Sequence, residues 1–142
     1  MAAMSSFLET SLLNHLLRST SYTAPGTVYV ALLTTNAVAS DTGTTLQGGG
    51  GTGVEVSGGN YARQSVAAGT GNWSAPSGGS TSNSNAITWA SVTWSATVVG
   101  IAICDAATNG NMLFFGALAS NKVVSSGDTI TFNVSQLAVS LS

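Results

Sequence analysis

The stretch Ser6–Thr35, SFLETSLLNHLLRSTSYTAPGTVYVALLTT, contains the densest hydrophobic pattern of the chain and decides the fold prediction. Its first part, Phe7–Leu17, has leucines at helical spacing. Its last part, Thr27–Leu33, is a run of apolar residues of the kind that forms a buried strand. Pro25-Gly26 marks a turn between the two. The stretch therefore predicts one helix followed by one core strand.

The predicted helix covers residues 6–18 and follows a small apolar arm, residues 1–5. Ser6 precedes Glu9 by three residues, which is the spacing of a capping box. Two arrangements fit this helix, since it can pack within its own domain or reach outward as an anchor. We favour the packed helix, with residues 1–5 as the arm that contacts a neighbour. The leucines that share one side at helical spacing are Leu8, Leu12, Leu13, Leu16 and Leu17.

The remainder of the chain reads as short β-strands separated by turn residues. This pattern predicts a mainly β fold, an antiparallel β-sandwich of jelly-roll type, formed as a single domain over residues 1–142. Asn109-Gly110 and Ser125–Asp128 each predict a hairpin. Because the strand at 27–33 is apolar on both faces, we expect a second sheet on one side and the helix or a neighbouring subunit on the other. Asn36–Gly53 predicts a long loop that is functional or flexible.

The composition favours assembly over nucleic-acid binding. Charged residues make up 6% of the chain and the formal net charge is −2, whereas ordinary domains contain about 25% charged residues. Nucleic-acid binding needs clustered Lys and Arg, so we predict no nucleic-acid partner. Proteins with little net charge tend to associate. We expect no signal peptide, because no basic region is followed by an apolar run of the signal type. We expect no membrane partner, because no apolar run approaches about 18 residues.

No set of residues in the chain predicts catalysis. Gly48–Gly53 matches G-x-G-x-x-G, but a strand-like segment follows it where a dinucleotide site needs a helix. His15 is the only histidine, and we interpret it as a solvated or hydrogen-bonded side chain. Cys104 is the only cysteine and lies in an apolar run, which indicates a buried structural thiol. We therefore predict no enzyme, no catalytic residue, no metal and no cofactor; a hydrolase that uses His15 is the weakest of three hypotheses.

Five residues are candidates for an interface: Met1, Phe7, Tyr61, Arg63 and Trp73. Arg63 follows Tyr61 on one face of a predicted strand, and both residue types are enriched at interface hot spots. Arg63 is predicted either to extend along a strand edge or to pair with an acidic residue of a neighbour. Trp73 is predicted either to belong to the core or to offer a stacking surface to a sugar.

The order of several short segments resembles a family of short bacteriophage virion proteins, commonly labelled phage tail fibre proteins, some of which serve as head decoration or cement proteins. The Gly48–Gly53 run is longer than the family pattern. The segments that carry the resemblance are Phe7–Leu17, Tyr22–Pro25, Val28–Thr35, Gly58–Arg63, Asn72-Trp73, Gly100-Ile101, Asp105–Thr108 and Ser126–Thr129.

This resemblance implies a β-rich, oligomeric part of the virion without catalytic chemistry. Because the chain has no repeat of the kind that builds an elongated shaft, we predict a capsid decoration or cement protein at the capsid surface. It would form a homo-oligomer, with a trimer favoured, and bridge major capsid proteins to stabilise the head shell. The alternative is a tail or tail-fibre component that binds a glycan or receptor on the host surface through Trp73.

Overall fold

The computed structural model describes residues 2–141 of the chain and is built mainly of antiparallel β-strands. The prediction of a mainly β fold with one short N-terminal helix is confirmed. In chain order the elements are β1 (Ala3–Met4), α1 (Ser6–Leu17), β2 (Thr27–Thr35), α2 (Gly43–Leu46), β3 (Val54–Glu55), β4 (Gln64–Ala67), β5 (Ser80–Ser82), β6 (Ile87–Trp89), β7 (Ala96–Cys104), β8 (Met112–Val124), β9 (Ile130–Phe132) and β10 (Ala138–Ser140).

One six-stranded sheet forms the centre of the molecule. Its strands run in the order β1-β8-β7-β2-β3, and β4 also pairs with β2. Two small sheets, β10-β5 and β6-β9, supply hydrophobic residues that pack in one cluster with the large sheet. The layer that packs against the large sheet therefore consists of two separate two-stranded sheets, β10-β5 and β6-β9.

Strand β2 is buried on both faces, as its sequence predicts. Val30 and Leu32 belong to the main hydrophobic cluster, which includes residues of both small sheets. Ala31 and Leu33 belong to a second cluster, which includes Leu46 of α2. The second cover is thus the loop at residues 36–53 with its short helix α2, and not α1 or a neighbouring subunit.

Asp41 organises the loop at residues 36–53, which we expected to be functional or flexible. Its carboxylate accepts hydrogen bonds from the backbone N–H groups of Val38 (2.9 Å), Thr52 (2.9 Å) and Gly53 (2.8 Å). Burial, the largest effect, acts to raise the pKa of Asp41, but these bonds and one from the Thr45 hydroxyl hold it below its ordinary value. The loop has a structural task, because it closes the second cluster over Leu33.

One of the two predicted hairpins is present. Asn109 and Gly110 have φ angles of 54° and 72° and connect β7 to β8, which pair with each other. The second prediction is wrong, because Ser125–Asp128 leads from β8 to β9, and β9 pairs with β6. Turn residues report local backbone geometry, whereas the choice of a pairing partner depends on distant strands.

A large bulge interrupts the pairing of β8 with β7. Gly100 pairs with Ala117 and Val98 pairs with Lys122, so that residues 118–121 lie opposite the single residue Val99. Extra residues in one strand bend it away from its partner. The bulge at residues 118–121 therefore separates the middle of β8 from the sheet.

Candidate assembly surface

The first turn of α1 is fixed to the body of the protein. The backbone N–H of Ser5 donates to Leu113 (2.9 Å), and that of Ser6 donates to Ala39 (2.8 Å). The N-cap is Ser5, whose hydroxyl accepts from the N–H of Leu8 (3.2 Å) and donates to the carbonyl of Met112. The predicted capping box at Ser6 is therefore wrong by one residue. Residues 3–4 form β1 in the main sheet, so this part of the arm contacts its own chain.

Beyond its first turn, α1 presents leucines to solvent. Leu8 is the buried leucine of the helix, whereas Leu13, Leu16 and Leu17 are exposed by 58%, 73% and 78%. These three residues form what we call the leucine face. Leu12 is half-buried. The prediction that the helix packs within its own domain therefore holds for Leu8 and in part for Leu12, and it is wrong for the leucine face. Helical spacing shows that a face is apolar, but it does not show whether that face packs against its own domain or against another protein.

The segment that follows α1 runs back along the helix. Tyr22 contacts the ring of Phe7 edge-on at 6.3 Å, and its N–H donates to Nδ1 of His15 at 3.3 Å. His15 is thus hydrogen-bonded, as predicted. Phe7, a candidate interface residue, is half-buried by this contact. The segment contacts the side of α1 that carries Phe7 and His15, and it leaves the leucine face open.

Arg63 lies at the centre of a second site, which is buried. Its Nε and Nη2 donate to the carboxylate of Glu55 at 3.0 Å and 2.8 Å. Its remaining bonds go to three backbone carbonyls in two segments, those of Ala106 (2.8 Å) and Asn109 (2.9 Å) between β7 and β8 and that of Gly43 (2.9 Å) in α2. We call Arg63, Glu55 and Tyr61 with these carbonyls the Arg63 cluster. Every nitrogen of the guanidinium group has a partner in its own chain.

Tyr61 completes the cluster. Its hydroxyl donates to Glu55 (2.8 Å) and accepts from the backbone N–H of Leu32 (3.0 Å). Burial and the charge of Glu55 raise the pKa of Tyr61, so the phenol stays neutral. Burial acts to lower the pKa of Arg63, but the bonds and charge of Glu55 outweigh it and raise that pKa.

The prediction that Arg63 pairs with an acid of a neighbour is corrected by this geometry, because Glu55 of the same chain is its partner. The alternative of an exposed strand edge is corrected as well, since Arg63 is 6% exposed. The sequence contained a signal for the pair. Glu55 and Arg63 flank the predicted turn 58–60, and they are the only charged residues between Asp41 and Asp105 in the sequence.

The tryptophans lie in or beside the main cluster. Trp89 and Trp94 are buried, as the core prediction requires, and Trp89 donates its Nε1–H to Ala62 (2.8 Å). Trp73 is half-buried and lines an apolar cleft of about 140 Å³ together with Val28 and Phe114. Part of the Trp73 ring is therefore used in packing, and the cleft has the volume of a side chain rather than of a sugar.

The other chemically reactive groups are isolated. Burial raises the pKa of the Cys104 thiol to about 12, which agrees with the predicted structural role. Residues 2–141 contain no group of three or more His, Cys, Asp or Glu side chains placed to hold a metal ion. No helix in this range is long and apolar enough to cross a bilayer. Met1, the remaining candidate interface residue, lies outside the described residues.

A groove beneath the bulge of β8 was not predicted. It has a volume of about 340 Å³ and lies between β8 and β9. We call it the β8–β9 groove. Sequence alone does not indicate it, because it depends on the register of β8. Its lining residues are Leu32, Val98, Leu118, Ala119, Ser120, Lys122, Ile130, Thr131, Phe132 and Gln136.

Comparison with known proteins gives one match over nearly the whole chain. A family model described as "Podophage GP4 fiber I protein gp80" matches residues 3–140. The chain belongs to this family. No curated protein matches the chain. This phage fibre family confirms the resemblance to phage virion proteins and gives the protein a structural role in the virion, in association with other virion proteins.

Proposed function

We propose that this member of the fibre family is a non-enzymatic subunit of a virion fibre and that it is incorporated through the leucine face of α1. The observation that carries the proposal is the exposure of Leu13, Leu16 and Leu17 by 58–78% on one helix. Burying a leucine side chain stabilises a complex by about 1.5–3 kcal/mol. Because the three residues are partly exposed, covering all of them contributes about twice that amount, before the cost of association is subtracted.

The rest of the molecule supports assembly in preference to chemistry. In the Arg63 cluster, which is the densest group of charged and polar side chains in the described range, every guanidinium nitrogen and the phenol hydroxyl already have partners. Asp41 is used to hold its own loop. His15 is exposed on α1, and Glu9 is the only carboxylate near it in the sequence. A hydrolase that depends on His15 predicts an activity that His15→Ala abolishes; we expect no such activity in a substrate screen.

Capsid decoration is the second candidate, and the shape of the chain favours it. The described residues form a body around one six-stranded sheet, without a repeated shaft element. Such a block suits a position on the shell, where it would bridge major capsid proteins. Receptor binding through Trp73 has weaker support, because the Trp73 ring is partly used in packing.

A reattachment experiment tests the proposed function. Phage particles that lack this chain are incubated with the purified protein, separated from free protein on a gradient and imaged by cryo-electron microscopy. We expect density in a fibre, with a copy number far below that of the major capsid protein. Density over the shell at near-stoichiometric copy number would establish decoration instead. Failure to bind any particle would contradict both assignments.

A further inference from the structure

The chain carries an apolar convex surface and an apolar concave surface at two different places. The first is the leucine face of α1, and the second is the β8–β9 groove. We propose that the leucine face of one copy binds in the β8–β9 groove of a second copy, so that subunits associate head to tail. This inference rests on the proposed function, because it names the partner of the same helix.

The groove has an apolar floor and a polar rim. Leu32, Val98 and Ile130 are almost fully buried and form its deepest part. The polar side chains at its rim are those of Ser120, Lys122, Thr131 and Gln136. An apolar centre inside a polar rim is the usual anatomy of a protein interface.

The volume of the groove suits leucine side chains. It measures about 340 Å³, whereas a closed apolar cavity of about 150 Å³ holds a molecule of benzene. The groove thus has room for about two side chains of leucine size. On a helix, Leu13 and Leu17 are four residues apart and Leu16 lies beside them, so two of the three can enter while the third packs at the edge.

Charge complementarity supports a second copy of this chain as the partner. Glu9 lies one helical turn before Leu13 and shares its side of α1. Lys122, the only lysine of the chain, lies at the groove. Both side chains are exposed, and within residues 2–141 neither forms an ion pair, since the one salt bridge joins Arg63 to Glu55. A second copy of this chain therefore offers the groove both the apolar residues and the opposite charge.

A symmetric contact between two leucine faces would be too small. α1 has 12 residues and offers three exposed leucines, whereas a stable interface of standard size uses about 20–30 residues on each side. Binding in the groove adds the bulge of β8, the edge of β9 and the rim residues to the contact. The head-to-tail arrangement therefore buries more surface for the same helix.

Head-to-tail contacts also account for two kinds of assembly. A contact between different surfaces of identical subunits gives a closed ring when the rotation closes and an open filament when it does not. A ring suits decoration of a shell, and a filament suits a fibre. The same contact is thus compatible with both locations considered above.

A mixing experiment with two variants tests the contact. Leu16→Ser with Leu17→Ser removes the convex half and leaves the groove intact, and Ala119→Trp fills the groove and leaves the helix intact. Circular dichroism melts first establish that both variants fold. Sedimentation equilibrium is expected to show masses above the monomer for the wild type and the monomer mass for each variant alone. An equimolar mixture of the two variants should give a dimer of one copy each and no larger species, because only one productive contact remains.

Three outcomes would overturn the proposal. The first is a wild type that stays monomeric at high concentration, and the second is an Ala119→Trp variant that associates like the wild type, which indicates contacts between helices. The third is a mixture that forms no dimer. If the wild-type chain binds virions and yet stays monomeric in solution, the inference fails while the proposed function stands.

Charge reversal provides an independent measurement that leaves the apolar surfaces unchanged. Glu9→Lys and Lys122→Glu should each weaken self-association about fivefold, the size expected for a pair at the rim of an interface. The double variant should restore the affinity of the wild type. Equal weakening in the double variant would contradict the pairing of Glu9 with Lys122.

Discussion

The Arg63 cluster and the leucine face differ in polarity and in whether their side chains have partners within the chain. The cluster contains charged groups, and its guanidinium nitrogens and its phenol hydroxyl are bonded within the chain. The leucine face is apolar, and its three side chains are 58–78% exposed. The residue that looked like an interface residue is structural, and the residues that looked like core lie at the surface. The partners of each group within the chain, rather than its residue type, distinguish the structural cluster from the exposed face.

The largest expected effect comes from breaking the Arg63 cluster. Arg63→Met leaves the carboxylate of Glu55 buried without its cation, and loss of one partner of a buried pair costs about 3–5 kcal/mol. It also removes the hydrogen bonds to the carbonyls of Gly43, Ala106 and Asn109. The free energy of unfolding in urea should fall by that amount.

Arg18→Met is the matched control for Arg63→Met. Arg18 is exposed at the end of α1, and substitutions at such positions usually change stability by less than about 0.5 kcal/mol. Similar losses for the two variants would contradict the structural role of the Arg63 cluster.

The Arg63 cluster shows how far the sequence could be interpreted. The turn at residues 58–60 was predictable, and Glu55 and Arg63, which flank it, are the only charged residues between Asp41 and Asp105. The three carbonyl partners were not predictable, because they come from loops up to 46 residues away. Because charged residues are scarce, Arg63 was interpreted as a candidate interface residue, whereas it forms an internal ion pair with Glu55.

Two leucines of the same helix differ in burial. Leu8 is 6% exposed and Leu16 is 73% exposed. Truncation of a buried leucine costs about 2–5 kcal/mol, so Leu8→Ala should lower the free energy of unfolding by that amount. Leu16→Ala should change it by less than about 0.5 kcal/mol. Equal losses in thermal or urea unfolding would show that the outer part of α1 is packed in solution.

The charge of Asp41 holds the loop at residues 36–53 through hydrogen bonds to its backbone. Hydrogen bonds to a charged group contribute about 1.5–3 kcal/mol, and Asp41→Asn should cost an amount in this range at pH 7. Because the pKa of Asp41 in the folded state is below its ordinary value of 3.8, this stability is present above pH 3.8 and is lost as the pH falls further.

Urea unfolding at a series of pH values checks the Asp41 prediction. The difference between the wild type and Asp41→Asn should shrink below pH 3.8. Asp128→Asn is the control, since exposed Asp128 accepts one bond from Ser125 within its own turn. A difference that does not depend on pH would contradict the role of the Asp41 charge.

The smallest expected effect is the absence of a reaction at Cys104. The thiol is buried and its pKa is raised to about 12, so the native protein should not react with a disulfide reagent at pH 8. The same reagent should titrate one thiol per chain in urea. Rapid reaction of the native protein would show that the core around Cys104 opens.

Local patterns were predictable, and features that depend on distant strands were not. Burial of β2 on both faces and the Asn109-Gly110 hairpin follow from short stretches of sequence. The loop at residues 36–53, which covers the second face of β2, was not predictable. Its conformation depends on hydrogen bonds from three backbone N–H groups to Asp41. The β8–β9 groove depends on a register shift that has no local signal.

The leucine face is the proposed assembly surface, and its role in binding to the virion can be measured directly. Particles that lack the chain should be incubated with the variant Leu16→Ser with Leu17→Ser, and in parallel with Leu141→Ser, whose side chain is 52% exposed outside α1. We predict that both proteins melt at the wild-type temperature and that only Leu141→Ser binds to the particles. Equal binding of the two variants would contradict the role of the leucine face in assembly.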